Sequence, residues 1–128
     1  MKLLFIKTGA IVLALGILLG AFGAHILKEK ISANALSSFE IGIRYLIYNG
    51  IGLMFLGVQN FTSQKVDRVV YYFIVLGIVF FSGSIFILST QSLSQIPKAV
   101  FIPMTPLGGS MLIFSWVYFA VNCGISKS

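Results

Sequence analysis

Of the chain's 128 residues, 58% are hydrophobic and only 9% charged, with a mean hydropathy of +1.01, against roughly 25% charged residues in an ordinary soluble domain. So short a chain has too much surface for its volume to hide that much apolar area from water, so most of its side chains must be solvated by lipid. A single cysteine and the lack of any acidic or Pro/Gly-rich linker exclude a disulfide-stapled scaffold and argue against a second domain or a Rossmann unit.

The formal net charge is +6, which would suggest a nucleic-acid partner if the cations formed a stripe. They do not: Lys2, Lys7, Lys28, Lys30, Lys65, Arg68, Lys98 and Lys127 sit between or at the ends of apolar runs, and Arg44 alone lies further in. Cations so placed meet lipid headgroups and help to set topology. The expected partner is the bilayer, with no role for nucleic acid.

Charge-free stretches from Thr8 to Ala24, Tyr45 to Gln64, Val69 to Pro97 and Ala99 to Ser126 can each supply the ~20 residues that cross a bilayer as a helix. They lack the alternation of a barrel strand, and a backbone in hydrocarbon must bond to itself. The expected fold class is therefore all-α, an integral membrane four-helix bundle forming a single domain over residues 1–128.

The first helix is expected over about 3–26. Its Met-Lys start and small residues near the end resemble a signal peptide, but the apolar run is long and Lys7 interrupts its start, so we read a retained helix. The second has two candidate caps, Ser32, giving a helix over 33–60, and Ser37, whose Ser37-Ser38-Phe39-Glu40 fits a capping box. Residues 60–68 read as a polar turn and 69–90 as the third helix. Ile96 to Pro106 holds three prolines and the apolar Ala99-Val100-Phe101-Ile102, too short to span and expected to lie on or dip into the membrane. Thr105-Pro106 reads as a cap followed by proline at the first helical position, starting the fourth helix, 106–122. With four spans both termini share a side, and the cation count favours the cytoplasm for them and the plasma membrane for the protein.

Gly16, Gly20 and Ala24 recur every four residues and form a small-xxx-small packing face, for another helix of the chain or for another subunit. The candidate polar cluster comprises His25, Glu40, Arg44, Tyr45, Tyr48 and Asn49. Glu40, Arg44 and Tyr48 share one helical face, and Glu40 to Arg44 is the favourable direction for an intrahelical ion pair. Ionisable groups this close to hydrocarbon suggest function, although a capping Glu40 with Arg44 as its interfacial partner explains them structurally. His25, the only histidine, is expected to bond to Glu40 or to backbone carbonyls at the helix end. Trp116, Tyr118, Tyr71 and Tyr72 read as lipid-facing or interfacial anchors. Cys123 reads as an inert residue at the membrane interface. The phosphate loop, nucleophile elbow and His-Glu-x-x-His helix are missing, so the chain reads as a non-enzyme with no cofactor and no metal.

Gly20-Ala21-Phe22-Gly23-Ala24-His25, Phe39-Glu40-x-Gly42-x-Arg44-Tyr45-x-x-Tyr48, Phe81-Ser82-Gly83-Ser84 and Thr105-Pro106-Leu107-Gly108-Gly109 together resemble the YgdD/YwdK-type family of small four-helix bacterial membrane proteins. The resemblance covers nearly the whole chain in order. It implies a bacterial plasma-membrane protein with an animal relative, a domain of unknown function and no catalytic residues to carry over. The family's Tyr-Gln-x-Tyr-His pattern departs here to Leu46 and Asn49, so a two-histidine metal or haem site would lose a ligand. The residues favour an accessory or assembly protein acting through helix packing, alone as a homo-oligomer or with a membrane-protein partner. The alternatives are an oligomeric transporter or proton-linked permeation unit using His25, Glu40 and Arg44, and a membrane enzyme or lipid/quinone binder.

Overall fold

A computed structural model describes residues 1–124. Its helices are α1 (Lys2–His25), α2 (Ala33–Val58), α3 (Gln64–Ser89), the single turn α4 (Gln91–Ser94) and α5 (Met104–Asn122), with a 3-10 turn at Leu27–Glu29. Among the described residues four helices are long and apolar enough to cross a membrane. They are α1, α2, α3 and α5, and the protein is an all-α membrane bundle.

The bundle is two helical hairpins joined at their inner members: α1 packs on α2, α3 on α5, and α2 on α3. Lipid tails are as apolar as leucine, so helices in a bilayer associate through close packing and hydrogen bonds. Within each hairpin the backbones approach closely where two glycines cross. A Cβ at Gly9 would sit 2.6 Å from the Gly50 carbonyl oxygen, and one at Gly108 would sit 2.9 Å from the Gly77 carbonyl oxygen. Neither site has room for any other residue without parting the helices. Between the hairpins, the Ser82 hydroxyl donates to the Gly42 carbonyl at 2.9 Å, and a Cβ at Gly42 would meet the Phe86 ring at 2.6 Å. Phe5, Leu53, Leu56 and Ile74 fill the centre and are fully buried. Phe5 reaches across to Tyr71, with ring centroids 5.4 Å apart.

The α1 contact stripe differs from the expected one. Gly9, Gly16 and Gly23 are the buried glycines of α1, seven residues apart, and they turn Gly16 toward Ile47 and Gly23 toward Phe39. Gly20 lies at the margin of this seam and Ala24 is exposed, so the face Gly16-Gly20-Ala24 is only partly used within the chain.

Three boundaries move for physical reasons. Ser32 is the cap of α2, its hydroxyl accepting from the Ala35 amide at 3.1 Å; Glu40 is therefore mid-helix and the capping-box reading of Ser37 to Glu40 does not hold. Helix α2 ends at Val58 and α3 begins at Gln64, not near residue 69, because Ser63 accepts from the Val66 amide. Lys65 and Asp67 thus fall in a first helical turn, with Arg68 directly after it, not in a loop, and an acid there favours the helix dipole. At α5, Pro103 takes the cap position and the helix starts at Met104. The Thr105 hydroxyl is engaged instead with Ser84 at 2.5 Å, and Pro106 occupies one of the first four positions, where no backbone donor is needed.

That Ser84–Thr105 pair also fixes the course of the connector. Helix α5 starts level with Ser84, five residues or about 7 Å below the end of α3, so the exposed stretch 92–100 doubles back along the outer end of the bundle. Gln95 makes the reversal with φ 57° and ψ 26°.

The glycine crossings yield a contrast. Gly108→Leu drives a side chain into the Phe80–Phe81 backbone and is expected to cost at least about 1–3 kcal/mol. Gly83→Ala meets nothing within 4 Å and is expected to gain about 0.5–1 kcal/mol from helix propensity. Unfolding in mixed detergent followed by the single tryptophan, Trp116, checks both.

Candidate functional site

The most densely bonded polar group lies where the N-terminus meets the α2–α3 turn, and it draws on residues from three elements. Asp67 is 3% exposed, yet its carboxylate is compensated on both oxygens: Lys2 Nζ lies 3.4 Å from Oδ2 and the Thr62 hydroxyl donates to Oδ1 at 2.5 Å. Gln59 Nε2 donates to Thr62 at 2.9 Å, and Gln59 Oε1 accepts from the Phe61 amide at 2.6 Å. Lys2 also donates to the carbonyls of Leu56 and Gln59, which α2 leaves unbonded at its C-terminal end. The Gly124 amide donates to the Phe61 carbonyl at 2.6 Å, so this clasp ties together the near ends of all four spans. A buried carboxylate is tolerated because each of its oxygens has a nearby partner. Sequence reading treated these residues as a polar turn. The available signal was that a short hairpin loop brings Gln59, Thr62 and Asp67 to the level of Lys2.

The cluster expected from His25 to Asn49 does not assemble as one site. Glu40 and Arg44 are exposed and flank a groove of about 340 Å³ between α1 and α2, whose floor is Gly20, Gly23 and Ala24 and whose rim carries Lys28. Among the described residues the one ion pair is Lys2–Asp67, so the expected Glu40–Arg44 pair is not closed. His25 is exposed, makes no hydrogen bond to Glu40 and is not part of this groove. The described residues hold no cluster of three metal-ligating side chains.

Tyr45 and Asn49 point the other way, because five residues turn a helix by about 500°, or 140° beyond a full turn. With Tyr48 and Trp116 they line a second groove, between α2 and α5. Asn49 is 4% exposed and satisfied: its amide donates to the Tyr45 carbonyl at 2.8 Å, and its Oδ1 accepts from Trp116 Nε1 at 3.0 Å. Trp116 is thus not a lipid anchor; it is half-buried over Gly52 and bridges α5 to α2. Tyr71 is likewise buried, its hydroxyl 2.7 Å from that of Thr8, whereas Tyr72 keeps an exposed ring. A third groove, at the outer end, is lined by Asn34, Ser38, Thr105 and Ser89, whose Oγ is buried with no hydrogen-bond partner among the described residues.

Four apolar helices, a polar clasp at one end and grooves toward the other define a multi-pass α-helical membrane protein. The chain belongs to the family described as "Protein of unknown function (DUF423)", whose model matches residues 19–109. It is 37% identical over 118 residues to the UPF0382 membrane protein SSP2132 of Staphylococcus saprophyticus, covering 92% of this chain and 94% of that one. It is also 37% identical over 122 residues to the UPF0382 membrane protein YwdK of Bacillus subtilis, covering 91% and 93%. Identity to the UPF0382 membrane protein of Haemophilus influenzae is 30% over 110 residues, covering 86% and 85%. The YwdK-type resemblance read from the motifs is therefore a membership. No solved structure matches the chain.

The clasp separates charge from hydrogen bonding. Asp67→Asn keeps an acceptor for Thr62 and loses the ion pair with a Lys2 that is 37% exposed, so a loss of at most about 1 kcal/mol is expected. Asp67→Leu leaves the buried Thr62 hydroxyl without its acceptor and is expected to cost about 1–3 kcal/mol. Equal losses in detergent unfolding would show that the carboxylate's hydrogen bonds do not hold the clasp.

Proposed function

We propose that the protein is an accessory or assembly protein of the plasma membrane that works by lateral helix packing. The observation that carries this reading is the two-sidedness of α1. Its glycine seam is spent on α2, while Ala10, Ala14, Ile17, Ala21 and Ala24, all exposed, fall within about 40° of one line that lies about 120° round the helix from the seam. Alanine is the smallest residue after glycine, so a second helix can pack closely on this face, though not as closely as α2 packs on the glycines. A transmembrane helix of a second copy or of another membrane protein fits this face. The permeation reading draws less support, since His25 stands apart from Glu40 and Arg44.

Both termini are assigned to the cytoplasm. By sequence position Lys2, Lys7, Lys65, Arg68 and Lys127 fall with the termini, against Lys28, Lys30, Lys98 and Arg44, five to four; Lys127 itself lies outside the described residues. Reporter fusions at each terminus are expected to give a fluorescent cytoplasmic protein and an inactive alkaline phosphatase; an active phosphatase reverses the assignment.

Lateral packing is tested in native membranes by disulfide trapping. In a Cys123→Ser background, Ala14→Cys is expected to give an oxidant-dependent adduct and Ile113→Cys, on the exposed face of α5, none. Adding Ala10→Leu is expected to lower the Ala14→Cys adduct by about tenfold, an effect of about 1.4 kcal/mol. Equal trapping at both positions would mean random collision and end the proposal.

A further inference from the structure

We propose that the groove between α1 and α2 binds the headgroup of a phospholipid carrying both a phosphate and a primary ammonium group, an ethanolamine phospholipid of the leaflet away from the termini. The inference is independent of lateral packing through Ala10 and Ala14.

Four observations carry it. The groove is open because Gly20 lies at the margin of the seam: a Cβ there would meet only Ile43 Cγ2, at an ordinary 3.8 Å, whereas on the seam at Gly16 and Gly23 the nearest atoms stand at 2.9 and 3.2 Å. Glycine at position 20 therefore keeps a space empty and is not required for the crossing. The rim charges are Lys28, Glu40 and Arg44, and none of them takes part in an ion pair among the described residues. Two cations and one carboxylate around a single cleft complement a zwitterion, with the phosphate between Lys28 and Arg44 and the ammonium on Glu40. Glu40 and Arg44 stand one turn apart on the same face, with Cβ atoms about 5–6 Å from each other, and phosphate and ammonium in this headgroup are separated by two carbons.

Depth supplies the driving force. Gly20 faces Ile43, which places Arg44 about 9 Å short of the α1 end at His25, at the level of the exposed apolar side chains Ile41, Tyr45 and Tyr48. A guanidinium at that level is costly in hydrocarbon unless it snorkels or meets an anion. A lipid phosphate drawn into the cleft neutralises it in place. Below the cleft, α1 presents Ile17, 67% exposed, as a surface for an acyl chain. Choline headgroups share the phosphate but have no N–H to donate, so Glu40 is the residue that selects between two lipids of equal net charge.

The test uses the full-length protein in vesicles of equal phosphatidylethanolamine and phosphatidylcholine, gently extracted and weighed by native mass spectrometry. The wild type is expected to retain one phospholipid, with ethanolamine favoured about tenfold over choline. Arg44→Gln and Lys28→Gln are expected to lose it, and Glu40→Gln to retain lipid without the preference. Gly20→Leu and Ala24→Leu, which place bulk in the cleft, are expected to lose it without lowering the unfolding midpoint. Retention of the two lipids in their bulk ratio overturns the proposal, as does retention unaffected by Arg44→Gln and Gly20→Leu. A further arm titrates free phosphoethanolamine into protein held in phosphatidylcholine alone. Saturable binding of the free headgroup, abolished by Arg44→Gln, would assign the site to a soluble ligand and overturn the lipid assignment.

Discussion

Everything else in this molecule depends on two places where helix backbones nearly touch, Gly9 against Gly50 and Gly77 against Gly108. In water such hairpins would be held by apolar side chains leaving solvent. In a bilayer that gain is absent, and dispersion between closely approaching surfaces takes its place. Each hairpin is set by its glycine crossing, and the two are joined by the Ser82 bond to Gly42 and by the Phe39–Phe86 ring contact at 4.8 Å. Because α1 and α5 each pack mainly on one inner helix, both keep wide faces for the lipid or for another helix.

The polar groups obey a second constraint, that each donor or acceptor near hydrocarbon needs a partner. At the terminal end the chain satisfies itself, with Lys2, Gln59, Thr62 and Asp67 compensating one another and the loose carbonyls of α2. In mid-span Asn49 is closed by Trp116 and by its own helix. At the opposite end the accounting is left open: Lys28, Glu40 and Arg44 surround a cleft without closing on each other, and Ser89 lacks a partner. The difference between the two ends is the physical basis for looking outside the chain for what satisfies the second.

The two proposed surfaces make different demands on a neighbour. The alanine face of α1 asks for a helix able to approach closely, whereas the cleft beside it asks for a phosphate and an ammonium group at the depth of a lipid headgroup. They meet at Ala24, which is exposed and also borders the cleft, and at the exposed Ile17, which belongs to the helix-packing face and would also lie along the acyl chain. A lipid seated there would stand beside any helix docked along α1, coupling the proposed assembly to the composition of that leaflet.

Much of the architecture was legible in the residues. Long charge-free runs with cations at their ends dictate four spanning helices, because a backbone in lipid can only bond within its own helix. Boundaries were less so. Asp67 looked like a loop residue because the sequence does not display the Lys2 and Thr62 groups that allow it to be buried 65 and 5 positions away from them. The spacing of four in Gly16-Gly20-Ala24 stood out over the spacing of seven in Gly9-Gly16-Gly23, and only the partner helix shows which face it contacts. The sequence by itself determined membrane residence, helix number and the ends at which charge gathers, all of which follow from solvation and chain-local geometry. Only the tertiary structure decided which glycines touch, that Asn49 belongs with Trp116 and not with Arg44, and that the rim charges of the α1–α2 cleft stay apart, since these depend on the rotation of each helix against its neighbour.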